Sequence, residues 1–202
     1  MKEIIVYTDY VCPFCLLAES LLREAIEGKD IKITWRPHEL RPFPEPTLKV
    51  EDGYLPSIWK RAVYPMAKKL GVAIKLPSIS PQPRTDKAFE AFAFAEQQGL
   101  GDAFSMAALS AFFQKDLDIG NIDVLVKIGE EIGVDGKKLT EALVKNKFTS
   151  AHKDAIRKAK QEVQIKVVPT IIIGTDRYEG VPSKQWIDLA LEKLDPRTIV
   201  ER

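Results

Sequence analysis

Hydrophobic positions at the start of the chain follow two different periods. An uninterrupted apolar run at residues 4–7 predicts a buried strand over residues 3–9. Apolar residues then recur at every third or fourth position, which predicts a helix over residues 12–27. In residues 31–36 apolar and polar side chains alternate, so a second strand is expected there. A strand, a helix and a strand at this spacing predict a right-handed βαβ unit with two parallel strands.

The middle of the chain shows almost only helical periodicity. Proline-rich stretches at residues 37–46 and 77–83 interrupt it, because proline fixes φ and lacks a backbone donor. The helical part is roughly a hundred residues long, too long for a loop, so we expect a helical insertion subdomain at residues 54–163. Helices are predicted over residues 58–70 with a start or kink at Pro65, then 88–95, 101–115, 121–132, 136–146 and 150–163, with Thr85, Asp102, Asn121 and Ser150 as candidate N-caps.

The last part of the chain returns to strands. A β-branched run at residues 169–174 and a second arm at residues 177–181 flank a glycine-containing turn, so a hairpin is expected. A final amphipathic helix is predicted to open at Ser183. The predicted fold class is α/β, with a mixed sheet built from a βαβ unit and a ββα unit. Residues 1–53 and 164–202 are expected to form this domain around the helical insertion.

Composition limits the classes of function. The 202 residues carry 30 basic and 29 acidic side chains and a net charge of +1, so a nucleic acid partner is not expected. No apolar run is long enough to cross a bilayer, and no membrane association is expected. The first strand starts too close to Met1 to leave room for a secretory signal. We therefore expect a cytoplasmic protein, in a compartment where disulfides are usually transient and catalytic.

The two cysteines of the chain, Cys12 and Cys15, lie where the first strand leads into the first helix. The first turn of a helix has N–H groups without intrahelical partners and carries the positive end of the helix dipole. Both effects favour a thiolate at Cys12, and the thiolate is the nucleophile of thiol–disulfide exchange. Pro13 suits the opening turn because its φ is already helical. The two-residue spacing lets Cys15 return to the same face, so the pattern predicts a redox-active dithiol.

Two other interpretations of the cysteine pair compete with this one. A structural zinc site needs four ligands, and His38 and His152 are the only histidines and lack the paired spacing of a zinc finger, so no metal is expected. Isolated cysteines can also be small buried hydrophobic residues. The βαβ context favours the redox interpretation. A second landmark is Val168-Pro169 at the start of the late strand, where we expect a cis peptide bond that presents backbone to the dithiol and to a bound polypeptide.

Residues 9–15 (DYVCPFC) and 168–170 (VPT) resemble the DsbA-type thioredoxin-like proteins. The part between them resembles the FrnE-like branch of dithiol-disulfide oxidoreductases. That resemblance is carried by WRPHELRP at 35–42, TDKA at 85–88, EQQG at 96–99, AFF at 111–113 and IGVD at 132–135. The resemblance implies a thioredoxin-like fold with a large helical insertion, and an enzyme that exchanges thiols and disulfides in proteins. It implies no cofactor besides the redox-active disulfide of Cys12 and Cys15.

The resemblance also implies roles for individual residues. Cys12 would form the mixed disulfide with the substrate, and Cys15 would resolve it. The substrate chain would be held by Pro13, Phe14, Val168 and Pro169. The implied partners are protein thiols and disulfides and a small-thiol or protein reductant, and a homodimer is left open.

The kind of chemistry is open at this stage. Phe14 cannot donate a hydrogen bond to the Cys12 sulfur, as histidine there could, so we expect a less oxidising couple than in the strong periplasmic oxidants. Glutathione-dependent isomerases and transferases of the same superfamily share the helical insertion but usually have serine where Cys12 stands. A redox-regulated chaperone or sensor without turnover is the third interpretation.

His38 and Glu39 are candidate accessory residues, and His152 is not. His38 and Glu39 follow the second strand, where Glu39 could relay a proton to Cys15. The alternative is a partly exposed histidine and a surface carboxylate, which general exposure tendencies favour. His152 lies among lysines, so we expect it on a solvent-exposed helix face.

Overall fold

The computed structural model describes residues 2–194 and contains a four-stranded mixed sheet, built from two strands early and two strands late in this range. The strand order is β2-β1-β3-β4. The strands are β1 (Lys2–Thr8), β2 (Ile31–Pro37), β3 (Thr170–Ile173) and β4 (Asp176–Glu179). β1 pairs with β2 in parallel, whereas the β1–β3 and β3–β4 pairs are antiparallel. The predicted mixed sheet of a βαβ unit and a ββα unit is therefore confirmed.

β1 lies inside the sheet, between β2 and β3, which explains its continuous apolar run. Ile4 and Val6 are buried, and Val6 pairs with both Trp35 and Ile171. A strand covered on both faces loses the alternation of polar and apolar side chains. Helix α1 (Pro13–Ile26) makes the crossover from β1 to β2. Helix α9 (Lys184–Lys193) follows β4 in the chain and contacts α1. The chain therefore enters α1 directly from the end of a central strand.

Helices fill the sequence between β2 and β3, as predicted. They follow a 3-10 turn (Val50–Asp52) and are α2 (Tyr54–Ile58), a π-helical turn (Trp59–Val63), α3 (Tyr64–Leu70), α4 (Asp86–Glu96), α5 (Gly101–Phe113), α6 (Ile122–Glu131), α7 (Gly136–Val144) and α8 (Thr149–Gln161). Pro65 lies at the start of α3, where the helix restarts after the π-helical turn. None of the helices within residues 2–194 is long and apolar enough to cross a membrane.

The predicted helix caps are partly right. Asn121 caps α6 and Ser183 caps α9, each through its side-chain oxygen. Thr85 stands at the N-cap position of α4 but makes no capping hydrogen bond. Asp102 and Ser150 were wrong as caps, because both lie inside their helices, which begin after Leu100 and Phe148. The Asp102 carboxylate instead accepts hydrogen bonds from two side chains outside its helix, those of Arg23 and Trp35.

One hydrophobic core joins the sheet to the helical part. Phe104 and Phe112 of α5 belong to the same cluster of buried side chains as Ile4 of β1. Both α5 and α8 contact β2, and α5 also contacts α1. Helices of the insertion therefore pack directly on the βαβ unit. The domain boundaries at residues 53 and 163 stay a prediction, and Met1 and residues 195–202 of the predicted outer domain lie outside the described residues.

Candidate active site

The two cysteines occupy the first turn of α1. β1 ends at Thr8, and a tight turn follows in which the Cys12 N–H donates to the Asp9 carbonyl at 3.0 Å. Cys12 is the N-cap residue of α1, with extended backbone, and Pro13 begins the helix. The Cys15 N–H donates to the Cys12 carbonyl at 3.0 Å. This places both thiols at the carboxyl end of a central strand, where open α/β sheets form their sites.

The two thiols differ in access. Cys12 is 5% exposed and borders a cavity, whereas Cys15 is 1% exposed and does not line it. Both cysteines are free thiols. The Cys12 thiol donates a hydrogen bond to the Val168 carbonyl, with 3.4 Å between sulfur and oxygen. The peptide bond between Val168 and Pro169 is cis, as predicted. The structure therefore brings together Cys12, Cys15 and the proline segment from opposite ends of the sequence.

Cys15 is held as a neutral thiol by its surroundings. Burial is the main cause that raises the pKa of the Cys15 thiol well above its ordinary value, and the neighbouring Cys12 sulfur raises it further. The Thr8 hydroxyl and the Asp9 backbone oppose this shift. Thr8 is fully buried, and its hydroxyl makes no hydrogen bond of regular geometry. A buried hydroxyl beside the sulfur is thus free to turn toward Cys15, a feature that the sequence analysis missed.

Asp9 is a buried carboxyl group at the wall of the cavity that Cys12 borders. Its Oδ2 accepts a hydrogen bond from the Leu40 N–H at 2.7 Å. Burial raises the pKa of Asp9 to about 6, although the Leu40 N–H and the Thr85 hydroxyl act in the opposite direction. The nearby charge of Glu39 raises it further. The sequence signal for this group was its place directly after β1 and three residues before Cys12.

Glu39 and His152 form a buried hydrogen bond. Glu39 Oε1 lies 2.6 Å from His152 Nε2, and the His152 ring stacks on Phe89 at 5.4 Å between centroids. The predicted exposed position of His152 was wrong, because this contact turns its ring inward from α8. His38 and Glu39 are not surface residues either, since each is less than a tenth exposed. Among the described residues neither of them hydrogen-bonds to a cysteine sulfur, so a proton relay from Glu39 to Cys15 stays a prediction.

His38 is buried directly beside the end of β1. Its backbone N–H donates to the Thr8 carbonyl at 3.0 Å, and its ring Nδ1 has no hydrogen-bond partner. Burial lowers the pKa of His38, the positive charge of Lys160 lowers it further, and Glu39 acts in the opposite direction. His38 is thus kept mainly as a neutral imidazole near neutral pH.

Tyr10 fixes the turn before Cys12 to the helical insertion. Its hydroxyl lies 2.9 Å from the Ser105 hydroxyl in α5, and its ring lies 4.6 Å from that of Phe89 in α4. Burial raises the pKa of Tyr10 far above its ordinary value, so the phenol stays neutral. Contacts of Tyr10 with α4 and α5 therefore fix the turn before Cys12 against the helical insertion.

A cavity of about 390 Å³ lies between the dithiol and the helical insertion. Most of its wall is apolar. It is lined by residues 9, 11–14, 40, 41, 47, 48, 54, 55, 58, 59, 63, 82–85 and 166–168. Its charged lining residues are Arg41, Arg84, Lys166 and Asp9. Within residues 2–194 no group of three or more His, Cys, Asp or Glu side chains is placed to hold a metal ion.

Comparisons with known proteins point to one family. The family described as DSBA-like thioredoxin domain matches residues 3–193. The uncharacterized protein YwbO of Bacillus subtilis (strain 168) is 42% identical over 187 residues, which is 92% of this chain and 94% of that protein.

Solved structures share the fold at low sequence identity. A 2-hydroxychromene-2-carboxylate isomerase superposes with a TM-score of 0.77 at 16% identity, over 97% of each chain. A probable DsbA oxidoreductase of Streptomyces coelicolor gives 0.75 at 14% identity, over 96% of this chain and 89% of the other. The cytosolic disulfide reductase DsbM of Pseudomonas aeruginosa gives 0.69 at 17% identity, over 94% of each chain. These likenesses confirm the predicted thioredoxin-like fold with its helical insertion.

Proposed function

The chain belongs to the family of DSBA-like thioredoxin domains, and on that premise we propose that it catalyses thiol–disulfide exchange in protein substrates through Cys12 and Cys15. The observation that carries the proposal is the difference between the two thiols. The Cys12 sulfur borders the cavity at the N-terminus of α1, and the Cys15 sulfur lies shielded behind it. Such an arrangement suits one attacking thiol and one resolving thiol.

In the reducing direction the Cys12 thiolate attacks one sulfur of a substrate disulfide. A bond forms between Cys12 and that sulfur, and the other substrate sulfur leaves as a thiolate. The Cys15 thiol then loses its proton and attacks the Cys12 sulfur, which releases the substrate as a dithiol. The Cys12–Cys15 disulfide remains, and two electrons have passed to the substrate. A small-thiol or protein reductant restores the dithiol, and oxidation of a substrate is the same sequence reversed.

The backbone of Val168 supports the binding of a substrate chain. In the dithiol form its carbonyl accepts the Cys12 S–H. When Cys12 loses that proton or forms a disulfide, the carbonyl loses its donor and can accept a backbone N–H from a bound peptide. A buried carbonyl without a donor is costly, so this exchange favours binding at the moment of attack. Pro13 and Phe14 line the same cavity and supply apolar contacts.

The proposed setting is the cytoplasm, with a thiol pool as the source of electrons. A reduced environment keeps Cys12 and Cys15 as the working dithiol between turnovers. One solved neighbour is the cytosolic disulfide reductase DsbM of Pseudomonas aeruginosa with GSH, which makes glutathione the first small thiol to test.

Insulin reduction in the presence of a thiol donor tests the proposal. The Cys12→Ser variant is expected to lose all activity over the uncatalysed rate. The Cys15→Ser variant is expected to accumulate a mixed disulfide with insulin, visible on a non-reducing gel and absent from the double variant. Circular dichroism of each variant serves as the folding control. A folded Cys12→Ser protein that still reduces insulin would contradict the exchange mechanism, and one that only retains holdase activity would support the chaperone interpretation.

A further inference from the structure

Most of the charged side chains that line the cavity are basic. Arg41, Arg84 and Lys166 line it, and Asp9 is the only acidic side chain among its described lining residues. The whole chain, by contrast, has nearly equal numbers of basic and acidic side chains. Asp9 is buried, and its pKa of about 6 keeps it partly protonated below neutral pH. The cavity beside Cys12 is therefore positively charged although the protein as a whole is close to neutral.

Arg84 is held in place without being neutralised. Its Nη1 donates to the Arg41 carbonyl at 3.0 Å, and its Nη2 donates to the Glu45 carbonyl at 2.8 Å. Its guanidinium carbon lies 5.4 Å from the centre of the Phe43 ring, a cation–π arrangement. Carbonyls and an aromatic face carry no net charge. A guanidinium has five N–H donors, so others remain available for a carboxylate.

The other two cations have no carboxylate partner either. Within residues 2–194 neither Arg41 nor Lys166 forms an ion pair, and both side chains are exposed. Many other basic side chains of the protein are paired, as in the exposed pair of Lys145 and Glu141. Three cations without a carboxylate partner among the described residues, Arg41, Arg84 and Lys166, thus line the same cavity that Cys12 borders.

The cavity has the size and surface to hold a short piece of polypeptide. Its volume of about 390 Å³ is in the range of a ligand site but would hold only a few residues. Tyr54 and Val167 line it and are 56% and 42% exposed. Apolar side chains at the rim are suited to neighbours of a substrate cysteine, because removing them from water stabilises the complex.

We propose that the preferred substrates are disulfides whose cysteine lies in an acidic peptide segment, with Arg84, Arg41 and Lys166 binding the carboxylates that flank it. The proposal rests on the exchange function proposed above. Carboxylates next to the substrate cysteine would hold the disulfide over the Cys12 sulfur. Attraction across a partly exposed site is reduced by salt, so the preference should weaken as ionic strength rises.

The test uses three fluorescent peptides of equal length with one cysteine, flanked by glutamate, glutamine or lysine, each as a self-quenched disulfide-linked dimer. Fully reduced protein is mixed with each peptide, and the single-turnover rate is read from the rise in fluorescence. We expect rates in the order acidic, neutral, basic, with the acidic peptide about tenfold faster than the neutral one at low salt, as a few exposed charge pairs allow. Sodium chloride should bring the three rates together.

Charge-removing variants separate the cavity from general electrostatics. The double variant Arg84→Gln/Lys166→Gln is expected to bring the ratio of acidic to neutral rates close to one. The matched control Arg61→Gln/Lys137→Gln removes the same charges from exposed positions outside this cavity and should keep the wild-type ratio.

Failure of this proposal is distinguishable from failure of the exchange function. If wild-type protein reduces none of the peptides, or if Cys12→Ser reduces them as fast, the exchange function itself is wrong. If wild type reduces all three peptides at equal rates, or the control double variant loses the preference as well, the acidic-substrate proposal is wrong. Oxidised glutathione is run as a fourth substrate. A preference for it without a preference for the acidic peptide would assign the charges to a small anionic thiol and overturn the proposal.

Discussion

Phe14 is one of the two residues between Cys12 and Cys15. Its ring packs against the core and lines the cavity, and it has no group that donates a hydrogen bond. The reduced form of a dithiol is stabilised when its thiolate receives a hydrogen bond or a positive charge, and such stabilisation makes the couple more oxidising. The wild-type couple is therefore expected below the value of about −120 mV typical of a strong oxidant.

The Phe14→His variant is expected to raise the reduction potential. A histidine donor to the Cys12 thiolate would contribute about 1.5–3 kcal/mol. For a two-electron couple this corresponds to about 30–60 mV. The reduction potentials of wild type and Phe14→His are measured by equilibration with glutathione redox buffers, followed by alkylation of the free thiols. Phe14→Leu is the control, since it changes the shape without adding a donor. An equal rise in the leucine variant would show that packing, and not hydrogen bonding, sets the potential.

The loop after β2 is joined to α8 by the hydrogen bond between Glu39 and His152. The same loop donates from the Leu40 N–H to the Asp9 carboxyl group beside the dithiol. The contact with α8 therefore helps to fix the loop segment that hydrogen-bonds to Asp9, the carboxyl group at the wall of the cavity beside Cys12. Buried hydrogen bonds of this kind are costly to break from one side, because the remaining partner is left without a replacement.

A double-mutant cycle on Glu39→Ala and His152→Ala tests how strongly this element contact stabilises the fold. Each single variant is expected to lose about 1–3 kcal/mol of unfolding free energy beyond its loss of packing. The double variant should lose less than the sum, because the second change removes an already unpaired group. Urea unfolding of wild type and of the three variants gives the unfolding free energies for this comparison. The exposed pair Glu141 and Lys145 supplies the matched cycle, with an expected coupling below about 0.5 kcal/mol. Additive losses at Glu39 and His152 would contradict a stabilising contact.

At the scale of the whole molecule, the sequence was sufficient for the features that depend on neighbours along the chain. Periodicity located the strands and helices, because burial of one face repeats every two or every three to four residues. The spacing of Cys12 and Cys15 and the proline at 169 predicted the dithiol and its partner segment. The right-handed crossover and the late hairpin were predicted as well, but the antiparallel pairing of β1 with β3, which joins the two units into one sheet, was not.

Features that depend on contacts across the chain could not be predicted in this way. His152 has lysines as sequence neighbours, but its ring meets Glu39, which lies 113 positions away. Asp102 looked like a cap, yet its carboxylate binds Arg23 and Trp35 from the βαβ unit. The buried carboxyl group of Asp9 has Leu40 and Thr85 as partners, and both are far from it in the sequence. Periodicity along the sequence shows which face of a helix or strand is buried. It does not show which polar side chain from another element contacts that face.

The burial of Asp9 makes the stability of the whole protein depend on pH. Its pKa is raised from an ordinary value of 3.8 to about 6, so the folded state binds this proton more tightly than the unfolded state does. Stability contributed by the neutral carboxyl group is therefore fully present below about pH 4 and is lost as the pH rises to about 6, by about 2–3 kcal/mol in total.

Asp9→Asn keeps an acceptor for the Leu40 N–H without the charge. The unfolding free energy of Asp9→Asn minus that of wild type, measured in urea on reduced protein, should increase by that amount between pH 4 and 7. Titrating groups that do not interact with Asp9 are unchanged between the two proteins and cancel in the difference. Asp30→Asn, at an exposed position, should give a constant difference, and a constant difference for Asp9→Asn as well would mean that its carboxyl group is not desolvated by the fold.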